Sequence, residues 1–273
     1  MTDESPDLQH ALAVAIEAAQ DAAAIVRAGW QRLDTIAVDA KGRGDVVTDV
    51  DRAAERAVIA RLHAAFPEHG FLGEESGAAT HSASDYRWII DPLDGTMNFV
   101  RGVPHFCTSI ALARSSTTLV AVVLDPLRDE LFHAVRGIGA WLAGRRLHVS
   151  PWTDLGLALL ATVFPKPGSK FGPRYRPGLI AALDAAAGLR RSGSMVLDLA
   201  YVAAGRFDGF WEFGMQPWDI AAGALLVTEA SGAVAAIDGE ADVMAAQGIV
   251  AGTPAIMPAL RALCGDDPDR HRA

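Results

Sequence analysis

The chain has 273 residues, of which 51% are hydrophobic, and its formal net charge at pH 7 is −9. This is enough apolar material for the core of one large domain or of two intimate halves. The acidic balance disfavours a broad nucleic-acid-binding surface. Cys107 and Cys264 lie far apart, which argues against a disulfide framework or a cysteine metal site.

The N-terminus also bears on where the protein works. Asp3, Glu4 and Asp7 argue against a signal peptide, and no apolar run is long enough to span a bilayer. We therefore expect a cytoplasmic protein that does not contact membranes.

The first predicted element is a long amphipathic helix. A Ser-Pro pair at residues 5–6 is typical of a helix start, and apolar residues recur at helical spacing to near Gly29. Residues 33–40 then predict a strand or half of a hairpin.

Thr48 and Asp51 stand at the start of a second predicted helix, which continues to about residue 66. A hydroxyl followed three residues later by an acid resembles a capping box, in which each side chain bonds the backbone N–H of the other. The residues leave two interpretations of Asp51 open. It caps this helix, or it serves a further metal ion, either as a direct ligand or as a carboxylate that supports a ligand.

The sequence Trp-Ile-Ile-Asp-Pro-Leu-Asp-Gly-Thr occupies residues 88–96. Its apolar residues predict a buried strand, and its proline predicts the end of that strand because it lacks the N–H that a central ladder needs. Asp91 and Asp94 would then lie at the strand end, and Gly95 allows a turn into a helix. Neighbouring carboxylates repel each other unless a cation lies between them, and hard oxygen ligands suit Mg²⁺ or Ca²⁺. Free N–H groups at a helix start suit phosphate, so the stretch indicates phosphoryl chemistry.

Turns and apolar runs predict the remaining elements. These are strands at 106–113, 119–124 and 130–135, a hairpin at 137–144, a strand at 157–163, helices near 175–188 and 195–204, a strand at 207–213, a helix from Trp218, strands at 233–236 and 249–251, and a last helix opened by Pro254. The Gly-x-Gly of the hairpin is weak evidence for nucleotide binding, since no third glycine follows. Ser194 suits the N-cap of its helix and Gly205 suits the position after its end.

Three motifs in order resemble the inositol monophosphatase family of metal-dependent phosphomonoesterases. They are Gly-Glu-Glu-Ser at 73–76, Asp-Pro-Leu-Asp-Gly-Thr-Met-Asn-Phe at 91–99, and Trp-Asp-Ile-Ala-Ala-Gly at 218–223 followed by Thr-Glu-Ala-Ser-Gly at 228–232. The resemblance implies an α+β fold of the layered αβαβα sugar-phosphatase type. It also implies an N-terminal half, 1–150, with most metal ligands, and a C-terminal half, 151–273, that completes the metal and substrate site.

The resemblance further implies a site with roughly two or three Mg²⁺ ions. The implied metal ligands are Glu74, Asp91, the backbone carbonyl of Leu93, Asp94 and Asp219. Adjacent glutamates point apart, so at most one of the pair at 74–75 is expected to serve the metal directly, and the resemblance assigns the first. Glu74 and Thr96 would orient and help to deprotonate the attacking water, with Asp51 as a further catalytic carboxylate and Lys41 near the site. The substrate would contact Asp94, Gly95, Thr96, Gly193, Ser194, Glu212 and Asp219.

Asp219 also has an alternative interpretation, because an acid in the first turn of a helix is commonly explained by the helix dipole. The match to the family's third motif favours a metal ligand.

The implied activity is hydrolysis of myo-inositol 1-phosphate, or a related inositol monophosphate, by metal-activated water without a phosphoenzyme. Histidinol phosphate, fructose 1,6-bisphosphate and adenosine 3′,5′-bisphosphate remain alternative substrates. A regulatory binding protein that keeps the fold is an alternative of a different class. The expected partner is a small phosphorylated polyol rather than nucleic acid. Lithium inhibition and a homodimer are expected from the resemblance.

Two other acidic patterns fit less well. The haloacid dehalogenase pattern, Asp-x-Asp-Gly-Thr, has one residue fewer between its acids, and in a regular strand this difference reverses the relative facing of the two carboxylates. An EF-hand loop would need alternating acids and a distal glutamate, which are missing here.

Overall fold

The structure is a computed structural model and describes residues 7–42, 44–78, 84–240 and 242–265. Its N-terminal elements are α1 (Leu8–Trp30), the antiparallel hairpin of β1 (Val38–Gly42) and β2 (Asp45–Thr48), and α2 (Asp49–Ala65). Helix α1 begins after Asp7, whose side chain accepts the N–H groups of Gln9 and His10. The predicted start at residues 5–6 lies outside the described residues. The strand predicted at 33–40 begins only at Val38, because a 3-10 turn occupies residues 33–35.

In the part of the chain that the structure describes, eight strands form the larger sheet. They are β3 (Gly70–Gly73), β4 (Gly77–Ala78), β5 (Tyr86–Asp94), β6 (Cys107–Arg114), β7 (Thr117–Asp125), β8 (Glu130–Val135), β9 (Gly139–Leu142) and β10 (Arg145–Arg146), in the spatial order β10-β9-β8-β7-β6-β5-β3-β4. Neighbouring strands are antiparallel except for the parallel pair of β3 and β5. The hairpin predicted at 137–144 lies further along the chain, because β9 pairs with β10 at residues 145–146 through a turn at residues 143–144. A short helix, α3 (Thr96–Val100), follows β5.

The second sheet is formed by five strands from later in the described chain. They are β11 (Leu159–Thr162), β12 (Gly188–Arg190), β13 (Gly209–Phe213), β14 (Ala233–Ala236) and β15 (Gly248–Gly252), in the order β12-β11-β13-β15-β14. The helices of this region are α4 (Gly172–Ala185), α5 (Met195–Ala203), α6 (Pro217–Glu229) and α7 (Met257–Cys264). The predicted division at residue 150 stays a prediction.

Alternating side chains on β5 show how the layers stack. Trp88 and Ile90 belong to the apolar cluster that contains α1 and α2, whereas Ile89 belongs to the cluster that contains α5 and α6. The other side of α5 and α6 packs on the second sheet, and α4 and α7 cover the outer face of that sheet. The order of layers is helix, sheet, helix, sheet, helix. This confirms the predicted α+β, layered αβαβα fold.

Two predicted boundaries at prolines are wrong. Strand β5 continues through Pro92 to Asp94, because a bulge changes its register against β6 at the point where the proline lacks an N–H. The last helix does not open at Pro254 but at Met257, where Pro258 occupies its first turn. Among the helices in the described ranges, none has the length and apolar character needed to cross a membrane.

Candidate active site

A cavity of about 520 Å³ lies where the end of β5 meets the β1–β2 hairpin and the second sheet. Its lining includes most of the predicted site residues: Lys41, Glu74, Asp91, Leu93, Asp94, Gly95, Thr96, Gly193, Glu212 and Asp219. Asp51 and Ser194 are not in the lining. Both are fully buried behind it and reach the cavity through other residues.

The bulge in β5 explains why Asp91 and Asp94 share this cavity. Residues three apart in a regular strand face opposite sides of the sheet. Here Asp91 pairs with Ser109 and Asp94 with Cys107, so β5 contains one residue more than β6 between the two pairs. Asp91 Oδ1 also accepts the N–H of Leu93 at 2.9 Å, which holds the bulge in a tight turn. The extra residue brings the two carboxylates to the same side.

Gly95 makes the next turn possible. Its φ of +97° lies in the left-handed region, where residues with a side chain are strained. A Cβ there would also lie 3.1 Å from the carbonyl oxygen of His105 and 3.2 Å from Cβ of Ser194. A glycine at this position therefore lets α3 begin at Thr96, one turn residue after Asp94.

Asp94 is fixed from the side of α5. Its Oδ2 accepts the hydroxyl of Ser194 and the N–H of Val196, each at 2.7 Å. Burial raises the pKa of the Asp94 carboxyl, and these two bonds hold the rise back. Ser194 occupies the N-cap position as predicted, but its side chain does not cap the helix and instead orients Asp94.

The contacts of Asp51 bear on both interpretations that the sequence left open. It forms the capping box with Thr48, and its Oδ1 lies 2.9 Å from the hydroxyl of Thr96. The same hydroxyl is 3.0 Å from the carbonyl oxygen of Leu93. Asp51 thus caps α2 and also positions a cavity residue, without lining the cavity itself.

Glu74 enters from the turn after β3. Its N–H donates to the carbonyl of Ile90 at 3.1 Å, which continues the pairing of β3 with β5. Lys41 Nζ lies 3.3 Å from Glu74 Oε1 and 2.6 Å from Glu75 Oε1. Both carboxylates thus contact one ammonium group, but only Glu74 lines the cavity.

The second half of the chain contributes Asp219 and Glu212. Asp219 forms a capping box with Gln216, whose N–H lies 2.7 Å from its Oδ2, and the carboxyl also lines the cavity. Burial raises the pKa of Asp219 to about 8. Glu212 on β13 is buried, and burial together with repulsion from Asp219 raises its pKa well above the usual value. Its Oε2 has no hydrogen-bond partner among the described residues.

Basic residues near the mouth of the cavity were harder to predict. The composition of the cluster at 166–176 predicts a solvated loop, with contact to a substrate or a partner as the alternative. Lys166 is largely exposed, and it also lines the cavity and forms an ion pair with Asp45 of β2. Arg191 also lines the cavity, with its guanidinium over the ring of Phe164. Neither contact has a local sequence pattern, because each joins segments far apart in the chain.

The electrostatics of the cavity fit a divalent cation. Burial raises the pKa values of Glu74, Asp91, Asp94 and Asp219. Repulsion from other carboxylates of this set adds to the rise at Glu74, Asp91 and Asp219, whereas at Asp94 the repelling carboxylate is Asp198. A cation among them would relieve this repulsion, and carboxylate and carbonyl oxygens are the donors that Mg²⁺ prefers. Within the described ranges, no three acidic, histidine or cysteine side chains already converge as a metal centre. The fit therefore rests on the shared cavity and on the chemistry of the donors.

Comparison with known proteins identifies the family of this chain. The sequence profile of the inositol monophosphatase family matches residues 7–265, and the chain belongs to that family. The Nus factor SuhB of Pseudomonas aeruginosa is 47% identical over 257 residues, which are 93% of this chain and 95% of the relative. The extragenic suppressor protein suhB of Bartonella henselae has a similar structure, with a TM-score of 0.90 and 38% identity over 94% of this chain and 99% of that one.

Two further solved structures bear on chemistry. The inositol monophosphatase of Anabaena (Nostoc) sp. PCC 7120 has a TM-score of 0.83 and 37% identity, covering 94% of this chain and 96% of that one. An IMPase/NADP phosphatase complexed with Mg²⁺ and phosphate has a TM-score of 0.75 and 26% identity, covering 88% of this chain and 90% of that one.

Proposed function

We propose that this chain is a Mg²⁺-dependent phosphomonoesterase that acts on myo-inositol 1-phosphate or a related inositol monophosphate. The observation that carries the proposal is a set of buried and half-buried carboxylates around one cavity. Glu74 follows β3, Asp91 and Asp94 lie at the bulged end of β5, and Asp219 lies in the first turn of α6. Separate chain segments thus bring acids together where their negative charge is unfavourable without a cation.

Bound Mg²⁺ would supply the positive charge that stabilises a phosphoryl group during displacement and activates water. The proposed ligands are Glu74, Asp91, the Leu93 carbonyl, Asp94 and Asp219, for roughly two or three ions. The Mg²⁺ and phosphate in the related IMPase/NADP phosphatase structure support this cofactor. Competition by lithium is part of the same proposal.

Thr96 and Glu74 would orient the water that attacks phosphorus. The Thr96 hydroxyl lies 2.9 Å from buried Asp51, which fixes its position, and Glu74 can accept a proton from the water. Direct attack by this water leaves no phosphoenzyme. The main-chain N–H groups of Gly95 and Thr96 would bind phosphate oxygens.

The alcohol part of the substrate would lie toward β13 and the start of α5. Glu212 is buried with one oxygen free of partners in the described chain, so it can bond a substrate hydroxyl in either protonation state. Gly193 lines the same side of the cavity. Ser194 would act on substrate only through Asp94, to which it donates. These contacts favour a polyol phosphate.

A regulatory binding role is the second candidate, because several relatives are named Nus factor SuhB, including that of Escherichia coli K12 at 44% identity. Such a role leaves open contacts with macromolecules, including nucleic acid. A binding role alone would not require the acids Glu74, Asp91, Asp94 and Asp219 around one cavity, so we favour the enzyme. We also propose a homodimer, on the family resemblance.

Phosphate release with and without Mg²⁺ tests the proposal. The panel is myo-inositol 1-phosphate, histidinol phosphate, fructose 1,6-bisphosphate and adenosine 3′,5′-bisphosphate, and Asp94→Asn is the control. We expect Mg²⁺-dependent turnover that is fastest on the inositol phosphate and is lost in the variant. A preference for another compound would replace the substrate and keep the chemistry. Inactivity on all of them would favour the regulatory role.

A further inference from the structure

We propose that Glu55, in the middle of α2, is a positioning residue that holds Glu74 in place for metal binding. This inference rests on the proposed function, since it concerns the metal site that the function requires. Glu55 is only 3% exposed, although a glutamate inside a helix is ordinarily on a solvated face. Its burial calls for hydrogen bonds, and the partners it uses are informative.

The carboxylate of Glu55 binds the turn that follows Glu74. One oxygen accepts the N–H of Glu75 at 2.9 Å, and the other accepts the N–H of Ser76 at 2.8 Å. The N–H of Glu74 itself donates to the carbonyl of Ile90. The backbone is therefore held on both sides of the Glu74 side chain, by β5 before it and by Glu55 after it.

Gly73 supports the same interpretation. A Cβ at this position would lie 2.4 Å from Oε2 of Glu55 and 2.6 Å from its carboxyl carbon. The φ of Gly73 is not in the left-handed region, so backbone conformation does not account for the glycine. The close approach of the Glu55 carboxylate does account for it. Gly73 and Glu55 thus form a matched pair, in which the missing side chain of Gly73 leaves the space that the Glu55 carboxylate occupies.

Two acidic residues on one face of helix α2 hold parts of the cavity in place. Asp51 and Glu55 are four residues apart and so lie on the same side of the helix. Asp51 fixes the hydroxyl of Thr96, and Glu55 fixes the turn that carries Glu74. Both residues act through another group, and neither lines the cavity.

Metal binding to the purified full chain tests the role of Glu55. Mn²⁺ is the probe, and the free ion is counted by its electron paramagnetic resonance signal as protein is titrated. Glu55→Gln keeps the shape but places an NH₂ group against a backbone N–H donor, so the turn must shift. Because residues that orient metal ligands typically contribute 10–100-fold to affinity, we expect Mn²⁺ binding to weaken by about 10-fold or more.

Asp208→Asn is the matched control. Asp208 is also buried and also accepts a backbone N–H, that of Leu159 at 2.6 Å, but it is not part of the cavity lining. We expect this variant to bind Mn²⁺ as the wild type does, even where its melting temperature falls. Equal Mn²⁺ affinity in Glu55→Gln and the wild type would overturn the inference and leave the proposed function intact. A wild-type protein that binds no Mn²⁺ would overturn the proposed function itself.

Gly73→Ala provides a second route, which also serves if Glu55→Gln does not fold. Its methyl group displaces the Glu55 carboxylate, so we expect weakened Mn²⁺ binding of similar size. In a Glu55→Ala background the clash is absent, and adding Gly73→Ala should then change Mn²⁺ affinity little. Independent, additive effects of the two substitutions would overturn the matched pair.

Discussion

Divalent-metal binding should strengthen as pH rises toward the pKa of Asp219. Burial raises the pKa of this carboxyl from 3.8 to about 8. The N–H of Gln216 opposes the rise, and the nearby carboxylates of Asp94 and Glu74 add to it. A proton therefore competes with the metal ion for Asp219 across the neutral range.

The size of the effect follows from this pKa. With a value of about 8, Asp219 is ionised in ~1% of molecules at pH 6 and in ~50% at pH 8. If metal binding needs the carboxylate, the apparent affinity rises by ~50-fold between these pH values. The effect on stability has the opposite sign. Because the folded state binds the proton more tightly than the unfolded state, this group lowers the free energy of unfolding as pH rises from about 4 to about 8.

The assay is Mn²⁺ titration of the wild type and of Asp219→Asn at pH 6, 7 and 8. The variant keeps the shape of the side chain and removes its titrating proton. We expect a steep rise of affinity with pH in the wild type and weaker, flatter binding in the variant. A wild-type affinity that does not change with pH, or the same pH profile in both proteins, would show that protonation of Asp219 does not control metal binding.

Three further changes have defined outcomes. Asp94→Asn should lower Mg²⁺-dependent phosphate release by ~100-fold or more in steady-state kinetics with saturating Mg²⁺, because a carboxylate ligand is lost. Near-normal turnover would exclude Asp94 as a ligand. Asp51→Asn should lower the free energy of unfolding by ~1 kcal/mol because it weakens the cap of α2, and it should also lower kcat because it releases Thr96. A loss of stability with unchanged kcat would mean that Asp51 only caps the helix. Gly223→Ala places a Cβ 2.6 Å from Leu199 and should lower the free energy of unfolding in urea by ~1–3 kcal/mol. Combination with Leu199→Ala should restore part of this stability. Losses of stability that simply add would contradict the close packing of the two residues.

Local patterns were enough to predict several features of this molecule. The capping box of Thr48 and Asp51 depends on residues three apart, and the structure contains it. The buried strand predicted from the apolar run at 88–90 is present as part of β5. The three family motifs place Glu74, Asp91, Asp94 and Asp219 around one cavity, although their roles as ligands stay a proposal.

Features that depend on distant segments were missed. Pro92 predicts the end of a strand, but pairing with β6 through a bulge carries β5 on to Asp94. A lone glutamate within a helix predicts a solvated side chain, and Glu55 is buried only because the turn after β3 packs on α2. Lys166 lies in a loop-like composition, and its contact with Asp45 joins residues 121 apart.

The metal site itself has the most direct test. Crystals grown with Mn²⁺ would give anomalous peaks that locate each bound ion without reference to activity. We expect Mn²⁺ within ~2.0–2.6 Å of oxygens from Glu74, Asp91, Asp94 and Asp219, as is usual for hard cations bound by oxygen. Well-ordered crystals with no Mn²⁺ in this cavity, or with Mn²⁺ held only elsewhere, would contradict this expectation.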